Sequence, residues 1–303
     1  MGEDDHDRDA PTAPQDAVQG RSKGTRPRRH RSRIRVRRLL VIALATYVGV
    51  CVLIAALQTK LIYFPSKGYD AVPTDVGLAF EDLTLRTADG VNIAAWHVPH
   101  DRAFGNIIFF HGNAGNMTSR LHSVKLLHNM GLNVLIIDYR GYGRSEGKPS
   151  ETGTYEDAEA AWRYLTETRG ERPDHIALFG RSLGGAVAIE LATRHTPAAL
   201  VTESTFTSLT DIGRMHYRFL PVRLILSYRY DSLSKVGRIT CPKLFFHGRE
   251  DTLIPLENGR RLFDASADPK EFIETPGGHN ESGFTYTPEF TKRLEEFLLG
   301  VFE

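Results

Sequence analysis

Six short apolar runs set the limits on what this chain can fold into. They are "NIIFF" (106–110), "NVLIID" (133–138), "HIALF" (175–179), "AALVTE" (198–203), "KLFFH" (243–247) and "EFIET" (271–275). Most are apolar at consecutive rather than alternate positions, so both of their faces need cover. Helix-like segments at about 118–130, 153–169, 183–194 and 256–265 separate most of them, and an amphipathic segment closes the chain at about 288–300. Strands alternating with helices predict an α/β fold: a mostly parallel sheet with helices on both faces. Ahead of these runs, "DLTLRTADGVNIAAWHV" reads as two strands joined at Ala88-Asp89-Gly90, a hairpin signal. Residues 204–242 are more than one crossover helix needs. Within them "GRMHYRFLPVRLILSYRY" is aromatic, basic and interrupted by Pro221. It reads as a crossover helix plus a small lid, or as a surface excursion whose side chains complete the core.

The front of the chain stands outside that pattern. Residues 39–57, "LLVIALATYVGVCVLIAAL", carry no charge and are long enough to cross a bilayer as a helix. A core helix would show an amphipathic face. A cleaved signal peptide would have a shorter apolar region followed by small residues, where "AALQTK" offers Leu57 and Gln58. The reading is an uncleaved, single-pass anchor. The eight arginines of residues 26–38 then act as a topology signal, with the N-terminus cytoplasmic and the rest on the far side of the cell membrane. The expected organisation is a disordered basic tail (1–38), the anchor (39–57) and one folded domain (58–303) with its lid at about 204–242.

Charge divides along the same line. Residues 1–38 carry 11 Lys/Arg and 6 Asp/Glu, a net of +5, so the remainder of this +1 chain nets −4. A mildly acidic domain argues against a nucleic-acid surface. Two cysteines, Cys51 in the apolar stretch and Cys241, leave no disulfide framework. No HExxH, clustered Cys/His, GxGxxG or Walker pattern occurs, so neither a metal nor a cofactor is expected.

The chemistry centres on "IALFGRSLGG" at 176–185. Gly-x-Ser-x-Gly between a strand and a helix is a nucleophile elbow, a sharp turn that exposes the serine hydroxyl at the sheet edge. Ser182 fits. "GRSEG" at 143–147 matches the same spacing, but Ser145 has no strand before it and no helix after it. A nucleophilic serine needs a base, and the base needs an orienting acid. In such sheets these follow in the order Ser, Asp/Glu, His. Asp251 lies just past the run "KLFFHG", with Glu250 and Glu203 as rivals. His279 lies in "PGGHNES" after the last strand, whereas His247 falls inside a strand and suits a core role. The loop "FFHGNAGN" (109–116) can supply one oxyanion N–H, assigned to Asn113 within one residue, and Leu183 after the nucleophile can supply the other.

"HGNAGN", "DYRGYGRSEG", "GRSLGG", "HGREDTLIP" and "GGHN", in that order, resemble the α/β-hydrolase superfamily. More narrowly the chain is similar to its small, membrane-anchored α/β-hydrolase domain-containing proteins, a branch that includes protein depalmitoylases and fungal and bacterial relatives. "KLIYFPS" (60–66) shares the likeness, which covers about residues 58–300. The resemblance implies the α/β-hydrolase fold, a Ser182–Asp251–His279 triad and an architectural role for Asp138, Tyr139, Arg140 and Gly141. The depalmitoylases are held at the membrane by a cysteine-rich N-terminal segment, where this chain has an apolar helix, so their substrate does not carry over.

The leading expectation is a membrane-anchored serine hydrolase acting on small or lipid-like carboxylic esters or thioesters through an acyl-enzyme. A serine peptidase of the same fold is the alternative, and a non-enzymatic scaffold a third reading.

Overall fold

The computed structural model of the chain describes residues 29–303. The chain divides into two units, Met1–Val48 and Gly49–Glu303. Helix α1 (Arg29–Ile62) is longer at both ends than the expected 39–57. Arginine is a good helix former, and a helix nucleated by apolar residues propagates at little cost. Residues 29–38 are therefore helical and not part of a disordered tail; residues 1–28 lie outside the described residues. The most apolar 18-residue window of Arg35–Ile62 has a mean hydropathy of 2.7, and this span is long and apolar enough to cross a membrane.

The second unit is built on eight strands: β1 (Glu81–Arg86), β2 (Asn92–Val98), β3 (Gly105–Phe110), β4 (Leu132–Ile137), β5 (Ile176–Arg181), β6 (Ala199–Glu203), β7 (Lys243–Gly248) and β8 (Lys270–Thr275). Their order across the sheet is β8-β7-β6-β5-β3-β4-β2-β1. The β1–β2 hairpin pairs antiparallel with itself and with β4, and the other six strands run parallel. Gly90 makes the hairpin turn with φ 84°, a conformation open to glycine.

The consecutive apolar positions are explained by burial on both faces. Ile107, Phe109, Val134, Ile136 and Phe179 pack on one side with α2 (Leu121–Asn129) and α9 (Pro288–Phe302). Ile108, Phe110, Leu135, Ile137 and Leu178 pack on the other with α3 (Glu151–Arg163) and α4 (Leu183–Arg194). Burying each such side chain contributes about 1.5–3 kcal/mol. Helix α3 starts where the Ser150 hydroxyl accepts from Gly153 N at 3.1 Å. It gives way to a π-turn at Tyr164–Thr168, within the stretch read from the sequence as one helix.

The 204–242 excursion contains α5 (Leu209–His216), α6 (Val222–Ile225) and α7 (Leu233–Val236), and α8 (Glu257–Ala265) follows β7. The excursion divides between the two readings of its sequence. Phe206 is buried and Tyr228 packs on the core, whereas Tyr217, Phe219 and Leu224 are 61%, 91% and 87% exposed.

Candidate active site

Strand β5 enters a turn at Ser182, whose φ of 54° and ψ of −116° are strained for any residue but glycine. The surrounding glycines make the turn possible. A Cβ on Gly180 would collide with the Gly184 carbonyl, one on Gly184 with the Phe110 carbonyl, and one on Gly185 with the Thr205 hydroxyl. The strand, the returning helix and β3 thus meet with no room for side chains. Ser182 N donates to Glu203 O at 2.8 Å, and α4 leaves from the next residue.

The chain brings Asp251 and His279 to this serine. Asp251 follows β7 and is 4% exposed. Its Oδ1 accepts from Leu253 N (3.0 Å) and Ile254 N (2.8 Å), which leaves Oδ2 facing the imidazole. His279 Nδ1 lies 2.7 Å from that Oδ2, and its Nε2 lies 3.1 Å from Ser182 Oγ. In the tautomer this arrangement selects, Nδ1–H donates to the carboxylate and Nε2 accepts from the serine hydroxyl. His247 stands behind, with Nε2 donating to Ile254 O at 2.7 Å and lying 3.6 Å from Asp251 Oδ2. Burial lowers the His247 pKa from its ordinary 6.5 and keeps the ring neutral.

The glycine loop after β3 stands against the elbow. A Cβ on Gly112 would lie 3.6 Å from that of Ser182, so the loop at Gly112 passes close to Ser182. Asn113 O accepts from Phe64 N at 3.0 Å and from Tyr142 Oη at 2.8 Å. Leu183 N belongs to the first turn of α4, whose N–H groups have no carbonyl within the helix. Below the loop, Asp138 accepts from Met117 N at 2.9 Å and Tyr139 Oη donates to His111 O at 2.9 Å. Arg140 pairs with Asp157 and Asp89 at 3.0 and 2.7 Å. Among the described residues no group of three His, Cys, Asp or Glu is placed to hold a metal ion.

Known proteins resemble this chain in sequence and fold. A family described as serine aminopeptidase, S33, matches residues 101–225. An uncharacterised protein of Mycobacterium tuberculosis is 40% identical over 82% of this chain and 90% of its own length. The α/β-hydrolase domain-containing protein WAV2 of Arabidopsis thaliana is 34% identical over 81% and 89%. The chain belongs to the α/β-hydrolase superfamily. The lysophosphatidylserine lipase ABHD12 of Danio rerio is 32% identical over 92% of this hydrolase and 87% of its own length. The solved structure of an esterase from Pyrococcus furiosus superposes with a TM-score of 0.68 at 21% identity, over 80% of this chain and 98% of that one.

The rival residues of this hydrolase have structural partners. Ser145 is buried, donates to Asp138 O at 2.7 Å and accepts from Ala94 N at 2.8 Å, which pins a loop. Glu250 accepts from Gly277 N. Glu203 is 1% exposed, and burial raises its pKa. It pairs with Arg181 Nε at 3.1 Å, while Arg181 Nη2 donates to His279 O at 2.9 Å. Arg181 therefore ties the histidine loop to the elbow, a function that sequence reasoning missed. The available signal was the parallel register of β5 and β6, which sets Arg181 opposite Glu203.

Proposed function

We propose that the protein is a membrane-anchored serine hydrolase that cleaves carboxylic esters or thioesters. The observation that carries this reading is the chain of two contacts, Ser182 Oγ to His279 Nε2 at 3.1 Å and His279 Nδ1 to Asp251 Oδ2 at 2.7 Å, on a strained elbow. Ser182 Oγ attacks the acyl carbon as His279 Nε2 takes its proton, and Asp251 stabilises the resulting imidazolium. The backbone N–H groups of Asn113 and Leu183 bind the oxyanion. The leaving alcohol or thiol departs with the proton from His279. Water then gives a proton to His279 and attacks the acyl-enzyme, and the proton returns to Ser182 as the acid leaves.

The acyl group is lipid-like and is met at the bilayer. Exposed Tyr217, Phe219 and Leu224 beside Arg218 and Arg223 suit an interface with headgroups, and a zebrafish relative bears the name of a lysophospholipid lipase. Helix α1 is the single-pass anchor, with its arginines on the cytoplasmic side and the hydrolase domain outside.

Peptidase activity is the second reading, favoured by the description of the matching family. Hydrolysis of p-nitrophenyl acyl esters against aminoacyl p-nitroanilides separates the two. We expect the esters to be cleaved and the anilides to be left intact; the reverse would make the protein an aminopeptidase.

A further inference from the structure

The residues that leave α1 are built into the loop that stands against Ser182. Asn113 Nδ2 donates to Ile62 O at 2.7 Å. Phe64 N donates to Asn113 O at 3.0 Å, and Phe64 and Pro65 pair in parallel with Ala114 and Gly115. Ser66 N donates to Gly115 O at 2.9 Å, and Asn116 Nδ2 donates to Gly68 O at 2.6 Å. The strap is itself anchored on the domain side, where the Tyr63 and Tyr230 hydroxyls lie 2.8 Å apart. The last turn of α1 is tied to the excursion, with Ser227 N donating to Gln58 Oε1 and the Thr59 and Tyr228 hydroxyls in contact, both at 2.8 Å.

We infer that the strap Ile62–Ser66 is a positioning element of the catalytic centre, one that sets the direction of the Asn113 backbone N–H. This rests on the ester hydrolase reading above. Gly112 and Gly115 flank Asn113, and Gly115 has φ 80°, so the loop has little stiffness of its own. The strap supplies it. The Asn113 carbonyl has two lone pairs, and Phe64 N and Tyr142 Oη use both, which fixes the following peptide plane. The side-chain bond to Ile62 O fixes the residue from the other side. An oxyanion donor must stand about 2.7–3.1 Å from the developing charge, so small rotations of this residue matter. The end of the membrane helix and the oxyanion loop therefore behave as one body, and the anchor contributes to catalysis as well as to location.

The test uses the full-length protein in detergent micelles with p-nitrophenyl butyrate. Phe64→Pro removes the N–H that holds Asn113 O, Phe64→Ala keeps it, and Asn113→Ala removes the bond to Ile62 while keeping the backbone donor. We expect Phe64→Pro and Asn113→Ala to lower kcat roughly 10- to 100-fold with KM changed less than about twofold, the signature of an interaction made in the transition state. Phe64→Ala keeps that N–H and should lose far less kcat than Phe64→Pro. Hydrogen exchange of residues 111–116 should rise in the two impaired variants while that of β3 stays unchanged. Unchanged kcat and exchange in Asn113→Ala, or equal losses in Phe64→Ala and Phe64→Pro, would overturn the inference. If Phe64→Pro also loosens β3, Asn113→Ala decides. Absence of ester hydrolysis by the wild type would mark failure of the hydrolase reading instead; the exchange of 111–116 in Asn113→Ala would then decide whether the strap orders the loop.

Discussion

At the scale of single residues, the distinction between Ser182 and Ser145 is the sharpest. Both sit in Gly-x-Ser-x-Gly, but one is strained at the end of a strand and the other bonds two backbone groups. Ser182→Ala should abolish ester hydrolysis with the fold intact. Ser145→Ala should chiefly lower the melting temperature, because a buried N–H loses its acceptor, at a cost of about 1–3 kcal/mol. Asp251→Asn should lower turnover on the order of 10⁴-fold, since the imidazole loses its orienting partner. Glu203→Gln should act on stability instead, by about 1.5–3 kcal/mol, because it weakens the charge-assisted hydrogen bond of half-buried Arg181; thermal melts beside kinetics test this ranking. His247 adds a pH dependence. Its folded-state pKa is lowered by burial, so the unfolded chain takes up the proton first. Stability should fall as pH drops below the ordinary 6.5 toward the folded value, and His247→Gln should flatten that part of a melting-temperature profile. Of the three residues named from the sequence, Ser182 and Asp251 each stand within hydrogen-bonding distance of His279. Arg181 was not legible because its partners, Glu203 and the His279 carbonyl, come from other strands' ends.

At the scale of elements, the strands were readable to within a residue or two because their burial on two faces leaves continuous apolar runs. Helix ends were less so. Nothing in the arginine run stops a helix, and α1 accordingly reaches back to Arg29. The excursion at 204–242 was ambiguous since aromatic residues serve a core and an interface equally well, and the fold buries some of them and exposes others. Its exposed members carry a prediction. Replacing Tyr217, Phe219 and Leu224 together by alanine should weaken hydrolysis of esters with long acyl chains and leave short ones unchanged. A panel of p-nitrophenyl esters from two to sixteen carbons, presented in lipid vesicles, measures this; equal losses at every chain length would assign these residues to the fold alone.

At the scale of the whole molecule, the proposed orientation sets the arginines of α1 on one side of the membrane and the hydrolase domain on the other. Protease added to intact spheroplasts should digest the domain, and protection of it would reverse the orientation. The long apolar helix was legible from length and the lack of charge. Its connection to the loop at Asn113 was not, because hydrogen bonds between backbone segments some 50 residues apart leave no mark on composition. Whether the protein is a serine hydrolase working through Ser182 is decided by treating the full-length protein in membranes with a fluorophosphonate and mapping the modified peptide. A single adduct is expected on Ser182, lost in Ser182→Ala and retained in Ser145→Ala. An adduct on another residue, or none on wild-type protein, would contradict it.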